Sequence, residues 1–174
     1  MNHPAADTAR RPVAPAASGE IAAFLYEEAR LLDDREFERW IDLFTDDGIY
    51  WVPAKKGQEN PRDHVSLFYD DKEIMRTRIT RLRHPKIHVQ TPHASTIHLV
   101  SNVTVPEGEG AEGGDLTVRS NFVMLEDRPG DGRRIHGGRC SHRLRRVDGR
   151  LRIVLKRVDL TNCDASFPAL ALQF

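Results

Sequence analysis

Long apolar runs are missing from this sequence. None approaches the roughly 20 residues that a membrane-spanning helix needs, so no membrane association through helices is expected. Cysteine is scarce: Cys140 and Cys163 are the only two. Two cysteines make no disulfide framework, and free thiols in a reducing cytoplasm are expected. An excess of charge of one sign is also absent. Lys plus Arg and Asp plus Glu both total 26, giving a net charge of zero. Such a chain has no overall attraction to nucleic acid or to an anionic membrane. It also has little charge to keep copies apart, which suits a protein that works inside a complex. The N-terminus lacks the apolar stretch of a secretory signal. Nucleotide-binding glycine patterns, a P-loop, a G-x-S-x-G elbow and a catalytic-cysteine signature are all missing, so phosphate cradling and nucleophilic catalysis have no local support.

What remains is an ordinary globular composition. Charged residues make up 30% and the hydrophobic set 39% of 174 residues. That length fits one domain able to bury a core without disulfides or metal. Residues 1–18 carry Pro4, Pro12 and Pro15 among alanines and polar residues and read as a flexible arm. Residues 19–174 read as a single domain.

Ser18 is placed to cap a first helix, on which Ile21, Phe24, Leu25, Glu28, Ala29 and Leu32 recur at helical spacing. Asp33 with Glu36 has the form of a capping box for a second helix, whose stripe is Phe37, Trp40, Ile41 and Phe44. Thr45 to Gly48 ends it, and Ile49 to Pro53 is a short strand. After a polar loop from Ala54 to His64, Asp70 and Glu73 open a third helix with Met75, Ile79 and Leu82 on one face.

Beyond Pro92 the period changes to alternation. Ile97, Leu99, Ser101, Val103 and Val105 are assigned to one side of a strand, and Leu116, Val118, Ser120, Phe122 and Met124 to one side of the next. A third strand runs from Ile135 to Val147. Asp148-Gly149 is a strong hairpin signal. Leu151 to Leu160 is apolar on both faces, as a central strand would be. Helices followed by long antiparallel strands argue for an α+β fold, with the N-terminal helices on the concave face of a curved sheet.

Two groupings deserve a metal test. A Rieske cluster needs two cysteines and two histidines. Cys140-Ser141-His142 offers one half of that pattern, but Cys163 is followed by Ser166 where the second half needs histidine. His88, His93 and His98 recur every five residues, yet Pro92 interrupts them and no carboxylate lies close in sequence to complete a two-histidine, one-carboxylate iron site. Surface or interface histidines are the expectation. Neither grouping predicts a bound metal or cofactor.

Several strings occur in an order that resembles one family. They are Leu32-Asp33, Phe37, Trp40, Leu43-Phe44 and Asp47, then Tyr50-Trp51-Val52-Pro53. Asp70-Asp71 and Met75-Arg76-Thr77-Arg78-Ile79 follow, with Arg81-Leu82 and Pro92 after them. The most telling is His98-Leu99-Val100-Ser101-Asn102-Val103, followed by Gly137-Gly138-Arg139, Leu144-Arg145 and Arg150 to Leu160. Over about residues 20–174 the chain is similar to the small (β) subunits of aromatic-ring-hydroxylating dioxygenases.

That resemblance implies an NTF2-like (cystatin-like, SnoaL-like) cone. It implies a non-catalytic β subunit that assembles with itself as a trimer and with catalytic α subunits as an α3β3 hexamer. The α chains would carry the Rieske [2Fe-2S] cluster and mononuclear iron and receive electrons from NADH through a reductase. The whole complex would cis-dihydroxylate an aromatic ring. The competing expectation is a stand-alone NTF2-like dehydratase, isomerase or hydrolase with an acid/base pocket inside the cone. Its candidate residues are Asp34, Tyr50, His88 and His98.

Overall fold

The computed structural model describes residues 15–83, 93–106, 114–130, 132–165 and 173–174. Three helices and six strands follow one another: α1 (Pro15–Asp33), α2 (Phe37–Ile41), β1 (Phe44–Pro53), β2 (Ser66–Asp71), α3 (Lys72–Leu82), β3 (Ser95–Thr104), β4 (Leu116–Arg128), β5 (Gly132–Val147) and β6 (Arg150–Leu160). The strands form one sheet in the order β2-β1-β6-β5-β4-β3. Only the β1–β6 pairing is parallel; the other neighbours are antiparallel. The expected α+β architecture holds, and β6 is central as its two apolar faces required.

Local chemistry explains most of the boundaries. Asp148 and Gly149 both adopt positive φ, at 49° and 76°, which matches the twist of a two-residue hairpin between β5 and β6. Gly48 lies where β1 shifts register against β6. A Cβ there would come within 2.9 Å of Ile153 O, Phe44 Cβ and Thr45 O, so only glycine fits this bulge. At α3, Asp71 Oδ1 accepts the Ile74 N–H at 2.8 Å.

Several expectations are corrected. Helix α1 begins at Pro15, so Ser18 lies inside its first turn and caps nothing. The carboxylate of Asp33 makes no cap for α2; α2 has no side-chain cap and ends at Ile41. Thr45 to Gly48 already belongs to β1. The α3 cap is Asp71, one residue beyond the one expected, because Asp70 is drawn inward to pair with Arg78. Strand β2 had no foreseen counterpart.

The largest correction is the face of β3. Ile97 and Leu99 point outward, while His98 and Val100 point in. Asn102 adopts φ 53° within a register shift against β4. This bulge reverses the side-chain parity and brings Val103 and Val105 back to the core with Val100.

One core fills the space between α1–α3 and the inner face of the sheet. Trp40 stands edge-on to both Phe44 and Tyr50, with ring centroids 5.1 and 5.4 Å apart. Phe68 continues the aromatic row at 5.6 Å from Tyr50. Phe174 comes to the same interior and lies 6.2 Å from the ring of Phe122.

Candidate functional site

Polar chemistry is concentrated in the middle of that apolar interior. Strand alternation points Lys156 and His142 inward, and they are register partners on adjacent strands. From above, α1 presents Glu28, a carboxylate in the middle of an otherwise apolar stripe. Its Oε1 accepts Lys156 Nζ at 2.8 Å and Trp40 Nε1 at 3.1 Å. Its Oε2 lies 2.9 Å from His142 Nε2. All of these side chains are buried. Burial alone would push the Glu28 carboxyl up. The Lys156 ammonium and His142 outweigh it and hold Glu28 well below the usual carboxylate range.

A second cluster lies at the C-terminal end of α1. Asp33 Oδ1 is 2.6 Å from His98 Nδ1 and accepts Thr96 Oγ1 at 2.9 Å. Asp33 Oδ2 accepts the His98 backbone N–H at 2.9 Å. Partial burial raises the Asp33 carboxyl, and the His98 hydrogen bonds reverse this and leave it lowered. The two clusters face one cavity, lined among others by Glu28, His98, Phe122, Cys140, His142 and Phe174.

Of the three acid/base candidates among the described residues, His98 and Tyr50 lie in the interior and Asp34 does not. Asp34 is exposed in the turn just after α1 and pairs with Arg30 at 2.6 Å; its neighbour Asp33 makes the histidine contact instead. The hydroxyl of Tyr50 accepts the Phe174 N–H at 3.0 Å. Burial pushes its phenol above the ordinary value, so it is a poor proton donor. His88 lies outside the described residues. The surface expected for His98 is corrected, since its side chain is only 4% exposed; His93 is exposed.

The Glu28, Lys156 and His142 grouping was not foreseen from sequence, where His142 was weighed only as half of a Rieske pattern. The available signal was a glutamate in a helix's apolar stripe and a lysine in a strand apolar on both faces.

The half-Rieske string has other work. His142 is engaged by Glu28, and burial pushes the Cys140 thiol up to about 12. A Rieske cluster takes two cysteines and two histidines; this string offers one of each, and Ser166 stands where the Cys163 half needs histidine, so these residues do not fit the cluster.

The opposite face of the sheet is different. Ile97, Leu99, Val123 and Ile135 are 60%, 64%, 44% and 71% exposed. Leu99 pairs with Val123, Ile97 with Leu125, and Leu125 with Ile135. They make one apolar patch across β3, β4 and β5. Patches of this kind mark association surfaces more often than scattered apolar residues do.

Comparison with known proteins gives a consistent family. Residues 27–165 match the family described as ring hydroxylating beta subunit. The chain is similar to the small oxygenase component of the p-cumate 2,3-dioxygenase system of Pseudomonas putida. They are 38% identical over 140 residues, 79% of this chain and 76% of that one. It is 32% identical to the benzoate 1,2-dioxygenase β subunit of Acinetobacter baylyi, over 63% of this chain and 66% of that relative. The crystal structure of the benzoate 1,2-dioxygenase β subunit from Burkholderia mallei superposes with a TM-score of 0.69 at 27% identity, covering 87% of this chain and 93% of that one. The expected NTF2-like, cystatin-like architecture is the fold they share. An interior spent on its own side chains, an exposed apolar sheet face and a match across most of its length lead to one conclusion: the chain belongs to the family of β subunits of ring-hydroxylating dioxygenases.

Proposed function

We propose that this chain is the assembly subunit of a Rieske non-heme iron dioxygenase that cis-dihydroxylates an aromatic ring. In this reading it works in the cytoplasm, in an α3β3 hexamer whose β chains also contact one another as a trimer. It holds no catalytic, cofactor or metal site of its own. The [2Fe-2S] cluster and mononuclear iron, fed by NADH through a reductase, belong to the α subunit and supply the oxidation.

The observation that carries this reading is the outer apolar patch of Ile97, Leu99, Val123 and Ile135. The inner face of the sheet is consumed by the chain's own core, whereas this face has no covering element of the chain among the described residues. Docking energy concentrates in such apolar centres, and we assign the α subunit as the occupant. A stand-alone dehydratase, isomerase or hydrolase would need room for a substrate. The interior cavity is about 20 Å³, far below the several hundred cubic ångströms of small-molecule sites.

The test is co-expression of tagged chain with its α subunit and measurement of the mass and stoichiometry of what co-purifies. The wild type is expected to bring α down in equal amount. Leu99→Lys with Ile135→Lys is expected to lose α while the chain keeps its circular dichroism. Retention of α at wild-type stoichiometry would remove the patch from the α interface. Loss of self-association alone would reassign it to contacts between β chains.

A further inference from the structure

We propose that the interior cavity is a binding site for one water molecule, which joins the two buried polar clusters by bridging His98 Nε2 and His142 Nδ1. This goes beyond the assembly role and does not depend on it.

The argument starts from unmet hydrogen-bonding capacity. His98 Nε2 and His142 Nδ1 are both buried and neither has a partner. Both rings line the same cavity. Their side chains are 4% and 2% exposed, so bulk solvent does not serve them. Buried polar atoms without a partner are rare, and a bound water is the usual remedy.

Chemistry then selects the guest. An ionised carboxylate can only accept, so the proton between Asp33 and His98 lies on Nδ1, and that between Glu28 and His142 lies on Nε2. In a singly protonated ring the remaining nitrogen is an acceptor. Two acceptors cannot satisfy one another, so the space between them calls for a guest with two donors. Water has two O–H groups.

Size agrees. The volume open to the centre of a water-sized sphere is about 20 Å³, and one water needs roughly 10–15 Å³ by that measure. A metal ion is a poorer fit. Among the described residues no three His, Cys, Asp or Glu side chains converge as ligands. The cavity's apolar lining, Leu25, Leu32, Val100 and Phe122, offers a cation no further charge.

With the water in place, one hydrogen-bonded chain runs Asp33–His98–water–His142–Glu28–Lys156. It ties the C-terminal half of α1 to β3, β5 and β6.

The test is a crystal structure of the full chain at a resolution that resolves ordered water, with and without xenon pressure. We expect one peak within hydrogen-bonding distance of both nitrogens and no xenon in the cavity. In His142→Phe the peak should be lost. An empty cavity, a peak reaching only one nitrogen, entry of xenon, anomalous scattering from a metal, or a peak that survives in His142→Phe would each overturn the proposal. The wild-type crystal decides the matter even if the variant does not fold.

Discussion

Asp33 and His98 are joined twice: Asp33 Oδ1 lies 2.6 Å from the His98 ring nitrogen Nδ1, and Asp33 Oδ2 accepts the His98 backbone N–H at 2.9 Å. One carboxylate at the end of α1 thus fixes both the ring and the main chain of β3. The next residue, Asp34, makes only an exposed pair with Arg30. Asp33→Ala should therefore cost about 2–3 kcal/mol by urea unfolding, since it strands hydrogen-bonding groups of a partly buried cluster. Asp34→Ala should stay within about 0.5 kcal/mol of wild type. Equal effects of the two substitutions would contradict the structure.

The Glu28–Lys156 contact is a buried ion pair, with both side chains 4% exposed. Breaking such a pair from one side leaves an uncompensated charge and costs about 3–5 kcal/mol, whereas replacing both partners by apolar residues can be nearly neutral. Glu28→Leu and Lys156→Met should each be strongly destabilising. The double variant should lose less than the sum of the two. Denaturant unfolding of all four proteins closes the double-mutant cycle. Strict additivity would mean that the two charges do not interact.

The sequence revealed the frame of the fold through its periodicities. Val118, Phe122 and Met124 alternate strictly and are buried, and Asp148-Gly149 makes the hairpin it announced. Strand β3 was misread because unbroken alternation put Ile97, Leu99, Ser101, Val103 and Val105 on one side, which the strand does not keep. Ile97 and Leu99 are the apolar residues, but they lie on the outer face, and the bulge at Asn102 cannot be seen in an apolar/polar pattern. The interior polar clusters were hidden for a related reason. Glu28 lies 114 residues from His142 and 128 from Lys156 along the chain, so only tertiary packing brings it to them. Asp33 was legible as a helix-end carboxylate, and that local use is the one it abandons for His98.

Acid should weaken this protein through Glu28. Its folded-state carboxyl is held below its ordinary value of 4.5 by Lys156 and His142 against the cost of burial. A depressed carboxyl contributes stability that is complete above the unfolded value and is lost as pH falls toward the folded one. Asp33, also lowered, acts in the same direction. Wild-type unfolding free energy should thus decline as pH drops below about 4.5. Glu28→Gln should start lower at neutral pH and decline less steeply. A variant whose decline matched the wild type would show that Glu28 does not carry this dependence.

Phe174 is 1% exposed, and its ring packs 5.4 Å from His136 and 6.2 Å from Phe122. Phe174→Ala should cost about 3–5 kcal/mol, as loss of a buried aromatic ring usually does. Its backbone N–H can still donate to Tyr50, so the cost comes from packing. The cavity so opened, next to Leu25, Leu32 and Phe122, should take up xenon or benzene in a crystal soak, which a collapsed site would refuse.

Cys140 supplies a chemical readout of the closed interior. Burial pushes its thiol up to about 12, and the thiolate is the species that alkylates. A free cysteine has a pKa near 8.5, so the thiolate fraction of Cys140 at pH 8 is lower by about a thousandfold. Cys163 is also buried, with its thiol raised by the same cause. Iodoacetamide followed by intact mass measurement should therefore leave the native protein unmodified while a free thiol reacts fully, and should add two labels once the chain is unfolded in urea. Asp33→Ala, which loosens β3 beside the cavity, should label Cys140 faster than wild type in proportion to its loss of stability. Rapid labelling of Cys140 in the native wild type would mean that the interior opens without unfolding, and the cone would then be accessible in a way that its packed lining does not allow.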